Sequence, residues 1–138
     1  MNTETNKQQS RSIQECHDRG ELDAMMVVMS PDLIATANGG PAMNRAQFDG
    51  MVRMIAASFS NGRHIFESQV AEGDWVATRM TWTALHSGEF NGIPASNRPV
   101  SIATSVYDRF KDGKIVEHHA LFDTMAMMMQ IGAIPAAA

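Results

Sequence analysis

The spacing of apolar residues changes period near Gly62, and that change limits the fold more than any other feature of the sequence. Before it, apolar positions recur at three- and four-residue intervals, as on one face of a helix. Phe48, Met51, Met54, Ile55 and Phe59 form the clearest stripe, with Asn44 as N-cap and Asn61-Gly62 as its stop. Two shorter helices precede it. One runs from Ser10 to Arg19 and ends at Gly20; the other runs from Glu21 to Met29 and stops at Ser30-Pro31, because proline has no amide hydrogen to offer. Asp32 to Thr36 suits a short strand, and Asn38-Gly39-Gly40-Pro41 is a loop. After Gly62 the period is two. Ile65 to Glu72, Trp75 to Ser87, Pro99 to Lys111 and Lys114 to Phe122 all alternate and are rich in Val, Ile, Thr and aromatic residues. Glu72-Gly73-Asp74 and Lys111-Asp112-Gly113 read as tight hairpins, and Gly88 to Arg98 as a longer excursion. Asp123-Thr124 caps a last helix, MAMMMQ, which Gly132 and Pro135 end.

Helices followed by four successive strands specify an α+β domain in which a curved antiparallel sheet is covered by helices on its concave face. A sheet bent in this way is a cone with a pocket, and concave apolar cavities are the usual sites of small molecules. The 138 residues suffice for one domain, 1–138, in which residues 1–9 are either a frayed start or the first turns of a helix. A short PAAA tail closes the chain. The hydrophobic share of 44% against 19% charged residues is enough to build a core. The formal charge of −4 offers no general attraction to nucleic acid or anionic lipid. No run approaches the roughly 18 apolar residues of a membrane span. Cys16 stands alone, so no internal disulfide is expected, no Cys/His spacing resembles a zinc cage, and a reducing cytoplasm is the expected location.

The segments GEFNGIPASNRPV, YDRFKDGKIVEHHALFD and MMMQIGAIP carry a specific pattern. With Gly88, Gly92, Pro94, Arg98, Arg109, His118, Asp123 and Gln130-Ile131-Gly132 as its fixed points, the chain resembles the SnoaL-like polyketide cyclases, a family of the nuclear transport factor 2-like superfamily. The resemblance implies a conical barrel, intramolecular aldol ring closure, and no metal or organic cofactor. It also implies an acid/base Asp two places after the His of the final strand, with a polar residue and a His on the preceding strand. Those positions hold Ala120, Thr104 and Val106 here. Neither Ala nor Val can move a proton, and a Thr hydroxyl is no base near neutral pH.

Strand parity offers a replacement. A three-residue loop at Lys111-Asp112-Gly113 would set Phe110 opposite Lys114, Val106 opposite His118 and Thr104 opposite Ala120, the last four sharing one face, which the resemblance implies is the cavity face, so that Asp108, Val116 and Phe122 point inward as well. Asp108 then lies diagonally from His118 at about 7 Å, within reach of a bridged contact. A carboxylate there would hold the imidazole in one tautomer and rebuild an acid/base pair. The plainer readings are Asp108 solvated or paired with Lys114, and His118 as a hydrogen-bonded core residue. His86 is either a ligand contact or a pin at the strand end, and Trp82 either lines the pocket or fills the core. His119 and Glu117 face outward, and Asp123 is a helix cap. Ile115, Leu121, Ala103 and Tyr107 are expected on the uncovered outer face, where an apolar surface suits a two-fold homodimer.

Two functions remain from these residues. One is an acid/base enzyme acting without cofactor on a hydrophobic, carbonyl-bearing molecule by ring closure, isomerisation or hydrolysis, with His118 and Asp108 as catalytic pair and His86, Trp82, Thr104, Val106, Ala120 and Phe122 around the ligand. The other is a binding protein that keeps the cone without the chemistry, which Ala120 favours. A protein-interaction adaptor has less support, because the matching motifs belong to the cyclases.

Overall fold

The structure is a computed structural model and describes residues 2–135. It contains α1 (Thr3–Asp18), α2 (Leu22–Val27), β1 (Met29–Ala37), α3 (Arg45–Ser58), β2 (Phe59–Glu72), β3 (Trp75–His86), β4 (Pro99–Lys111), β5 (Lys114–Phe122) and α4 (Thr124–Gln130). The sheet order is β1-β5-β4-β3-β2. Strands β2 to β5 are antiparallel neighbours, and β1 joins the edge parallel to β5. The sheet is therefore mixed at one edge. Position 1 and positions 136–138, which include the alanines of the tail, lie outside the described residues.

Local chemistry explains most boundaries. Asn44 and Gln47 form a capping box, each side chain accepting from the other's backbone N–H at 2.9 Å, and so fix the start of α3. Asp123 accepts from the Ala126 N–H at 2.9 Å and starts α4. Helix α3 stops at Ser58, earlier than its apolar stripe suggests, because Phe59 already pairs with His86 as the first residue of β2. Residues 1–9 are not frayed from Thr3 onward. Asn2 accepts from the Thr5 N–H at 2.7 Å, and the polar first turns bury Asn6 and Ser10 against the sheet.

The β4–β5 hairpin departs from the expected register in two steps. Its loop has two residues, Asp112 and Gly113, both with positive φ (51° and 78°), as a type I′ turn requires. Val116 is then an extra residue: Phe110 pairs with Ile115, but Arg109 pairs with Glu117. Downstream of this bulge Asp108 stands directly opposite His118, Val106 opposite Ala120 and Thr104 opposite Phe122. The two-residue loop, by setting Ile115 opposite Phe110, turns Ile115 inward. It is 0% exposed in the core, not on the outer face, whereas Leu121 and Tyr107 are exposed as expected.

Two large apolar clusters, and a small one of Met80, Val106 and Ala120, form the core. One gathers Ile13, Met25, Met26, Leu33, Phe48 and Ile115 under α1, α2 and α3. The other gathers Phe59, Trp82, Phe90, Ile102, Met127 and Ile131 under α4 and the 88–98 excursion. Gly88 lets that excursion close on α3, since a Cβ there would come within 2.3 Å of the Ala57 carbonyl oxygen. Among the described residues no helix is long and apolar enough to cross a membrane.

Candidate functional site

Residues from both clusters enclose a cavity of about 310 Å³, within the range that holds small organic ligands. Its wall is mainly apolar, with Phe48, Val52, Phe59, Trp82, Ile102 and Met127 prominent. The polar groups reaching it are few: Gln14, His17, Asn38, His64, Asn91, Thr104, His118 and Thr124.

His118 enters from β5. Its Nδ1 lies 2.5 Å from Asp108 Oδ1, and Asp108 Oδ2 accepts from the Ser10 hydroxyl at 2.8 Å. A carboxylate can only accept, so the Nδ1–H donates and Nε2 is left as the free edge of the ring. Phe48 packs its ring edge-on against the imidazole with centroids 5.0 Å apart, which fixes the ring plane. Asp108 is 0% exposed and does not line the cavity; it sits behind His118. A carboxylate this deep is stable only with its oxygens engaged. Ser10 comes from the polar start of α1, so a helix built from unremarkable residues supplies the outermost member of a Ser-Asp-His chain. Such a chain presents one imidazole, in one tautomer, to whatever occupies the cavity.

The next rung of the same hairpin is apolar. Val106 and Ala120 face each other and pack with Met80, and Thr104 beyond them donates its hydroxyl to the Leu121 carbonyl at 3.1 Å. All three reach the cavity, as do Trp82 and Phe122. His86 does not. It is fully buried at the end of β3, where its Nδ1 accepts from the Ser96 N–H at 3.1 Å and lies 2.8 Å from the Ser96 hydroxyl, pinning the 88–98 excursion. Lys114 bonds to the Val27 carbonyl rather than to Asp108. Glu117 and His119 point outward, with Glu117 held by Arg109 and by His119.

The sequence model of the SnoaL-like polyketide cyclases matches residues 7–131. The chain belongs to this family. No curated protein matches it. Among solved structures it is similar to AclR, a candidate hydroxylase from Streptomyces galilaeus, at 26% identity and a TM-score of 0.88 over 96% of this chain and 83% of that one. It is also similar to IdmH, a candidate polyketide cyclase from Streptomyces antibioticus, at 27% identity and a TM-score of 0.81 over 91% of this chain and 97% of that one. A SnoaL-like protein from Jannaschia shares the fold at 21% identity and a TM-score of 0.86, over 95% of this chain and 94% of that one.

In this SnoaL-like chain the three positions to which the resemblance assigns acid/base groups can now be placed. Ala120, Val106 and Thr104 stand together on the cavity wall, and the polar pair stands one rung nearer the hairpin. Three groups escape a reading by motif: His17 and His64 on the cavity wall, and Ser10, buried behind Asp108. His17 follows the apolar positions of α1, and His64 lies on β2 directly opposite Trp82. Burial, reinforced by the neighbouring His64, holds the His17 imidazole below the usual histidine value.

Proposed function

We propose that this SnoaL-like protein is an acid/base enzyme acting on a hydrophobic molecule that bears carbonyl groups. His118 is the proton-transfer residue and Asp108 its positioning partner. The observation that carries the reading is an imidazole on the cavity wall, fixed through Nδ1 by a fully buried carboxylate. In an aldol closure His118 Nε2 takes a proton from the acidic carbon, and the electron pair left behind forms the enolate. The enolate carbon attacks a second carbonyl, a carbon–carbon bond forms, and the new alkoxide recovers the proton from the imidazolium. Asp108 stabilises the imidazolium in between. Trp82, Val106, Ala120 and Phe122 supply apolar contact to the ligand, and Thr104 a polar edge; His86 acts on this site only by holding the strand end.

Enolisation tests the reading without the natural substrate. Wild-type protein in D₂O with 2-tetralone, a bicyclic ketone, should accelerate deuterium uptake beside the carbonyl over buffer alone, as followed by proton NMR. His118→Gln should lose roughly 10²- to 10⁴-fold of that acceleration. Ketone binding, seen as quenching of tryptophan fluorescence, with equal uptake in wild type and His118→Gln would reject the enzyme. That result would leave the second reading, a binding protein, which Ala120 on the cavity wall favours. We further propose that a second copy of the chain covers the outer sheet face, where Trp75 and Tyr107 stack at 4.3 Å beside exposed Leu121. Sedimentation should then find a dimer that Leu121→Glu dissociates.

A further inference from the structure

Across the cavity from the SnoaL-like hairpin rungs, the C-terminal end of α1 meets β2. His17 and Asp18 close the helix, and His64 lies on the strand three positions across the sheet from β5. One ligand atom from each of the three lies within 4.8 Å of the other two. Asp18 Oδ1 is 2.7 Å from His64 Nδ1, and Asp18 Oδ2 accepts from the His64 backbone N–H at 2.7 Å. His17 stands edge-on to His64 with ring centroids 6.1 Å apart. Both imidazoles line the cavity.

We propose that His17, Asp18 and His64 form a site for a divalent first-row metal ion such as Zn²⁺, with its remaining coordination positions open to the cavity. Two imidazoles and a carboxylate are the donor set of open zinc and iron sites. Metal bonds of about 2.0 to 2.2 Å put neighbouring ligand atoms about 3 to 4 Å apart. The Asp18–His64 contact, at 2.7 Å, is shorter than that span, so the two atoms part slightly and the ion, seated to one side of the line between them, replaces the bridging proton. His64 keeps its charge balance by carrying its proton on Nε2 instead of Nδ1, and Asp18 turns from hydrogen-bond acceptor to ligand. The helix contributes too, because the negative end of its dipole lies beside the site. The expectation of no metal came from the absence of a local Cys/His spacing. His64 and Asp18 are 46 residues apart, and only the docking of α1 on β2 joins them.

An ion held there would accept an oxygen atom from a molecule in the cavity, so the site selects for carbonyl or hydroxyl oxygens at that end. The inference stands whether or not His118 performs catalysis, because its test measures metal alone. Chelator-treated full-length protein is titrated with Zn²⁺ against a chromophoric competitor, and with Co²⁺ for its visible absorption. One equivalent should bind. His17→Ala and His64→Ala should each weaken binding by about 10- to 100-fold or more, while His119→Ala, on the outer face, should leave it unchanged. Nitrogen-15 NMR of wild-type protein covers the case in which a variant fails to fold. Zn²⁺ should move the ring signals of His17 and His64, with the His64 proton passing from Nδ1 to Nε2. No stoichiometric binding, or Zn²⁺ shifts confined to His118 or His119, would overturn the site.

Discussion

Two adjacent rungs of one hairpin face the same cavity and do opposite things. On one, Asp108 and His118 meet at 2.5 Å with Ser10 behind them. On the next, roughly 7 Å along the strands, Val106 and Ala120 meet as bare hydrocarbon. The resemblance to characterised cyclases places acid/base groups on the second rung, and here the polar pair occupies the first. Both rungs lie on the same face of the same two strands. What differs is support: the first rung has a helix bringing a hydroxyl to the buried carboxylate, and the second has only Met80 and other apolar neighbours.

Breaking the polar rung should have the largest effect. Asp108→Ala leaves Ser10 and His118 without their shared acceptor and should lower unfolding free energy by about 3 to 5 kcal/mol in urea titrations. Val106→Ala, at the cavity edge, should cost only about 1 kcal/mol. Equal losses would mean that the carboxylate is no better anchored than the hydrocarbon. Ser10→Ala removes one hydrogen bond to the buried oxygen and should cost about 1 to 3 kcal/mol in the same experiment.

The second rung can be sharpened rather than broken. Ala120→Asp places a carboxyl group among Val106 and Met80, where burial favours the protonated form and so moves its basicity towards neutral pH. Deuterium uptake by 2-tetralone should rise by about tenfold over wild type. No rise in a variant that still binds the ketone would show that the first rung alone can host the reaction.

The smallest effect concerns the outward rung on the turn side of Asp108 and His118, that of Arg109 and Glu117. The hydrogen bond from Arg109, then that from His119, hold the Glu117 carboxyl below its ordinary value of 4.5. A carboxyl depressed in the folded state adds stability above pH 4.5, and that stability is lost as the pH falls through the folded value. Glu117→Gln should therefore flatten a small part of the acid limb in denaturation experiments run as a pH series.

Much of this arrangement is legible in the sequence. The period change at Gly62, the caps at Asn44 and Asp123, and the alternation of β4 and β5 come from local forces, and the elements formed there. The facing of Asp108 and His118 is also legible, though the expected register was two residues off. A loop one residue shorter and a bulge one residue longer each reverse facing, so together they restore it while moving the partners from diagonal to opposite. Neither the parallel docking of β1 nor the meeting of Ser10 with Asp108 has a local signal. Polar residues in the first turns of α1 look solvent-facing until the sheet they cover is known.

Val116 decides which of two neighbouring histidines sees the cavity. With that bulge, His118 points in and His119 points out. Were Val116 instead paired in a regular ladder opposite Arg109, His118 would fall opposite Tyr107 and point out, His119 opposite Val106 and point in, and Ala120 would turn outward as well. In a hairpin built this way, whether one residue sits inside or outside the ladder decides which side chains a whole wall presents to the cavity.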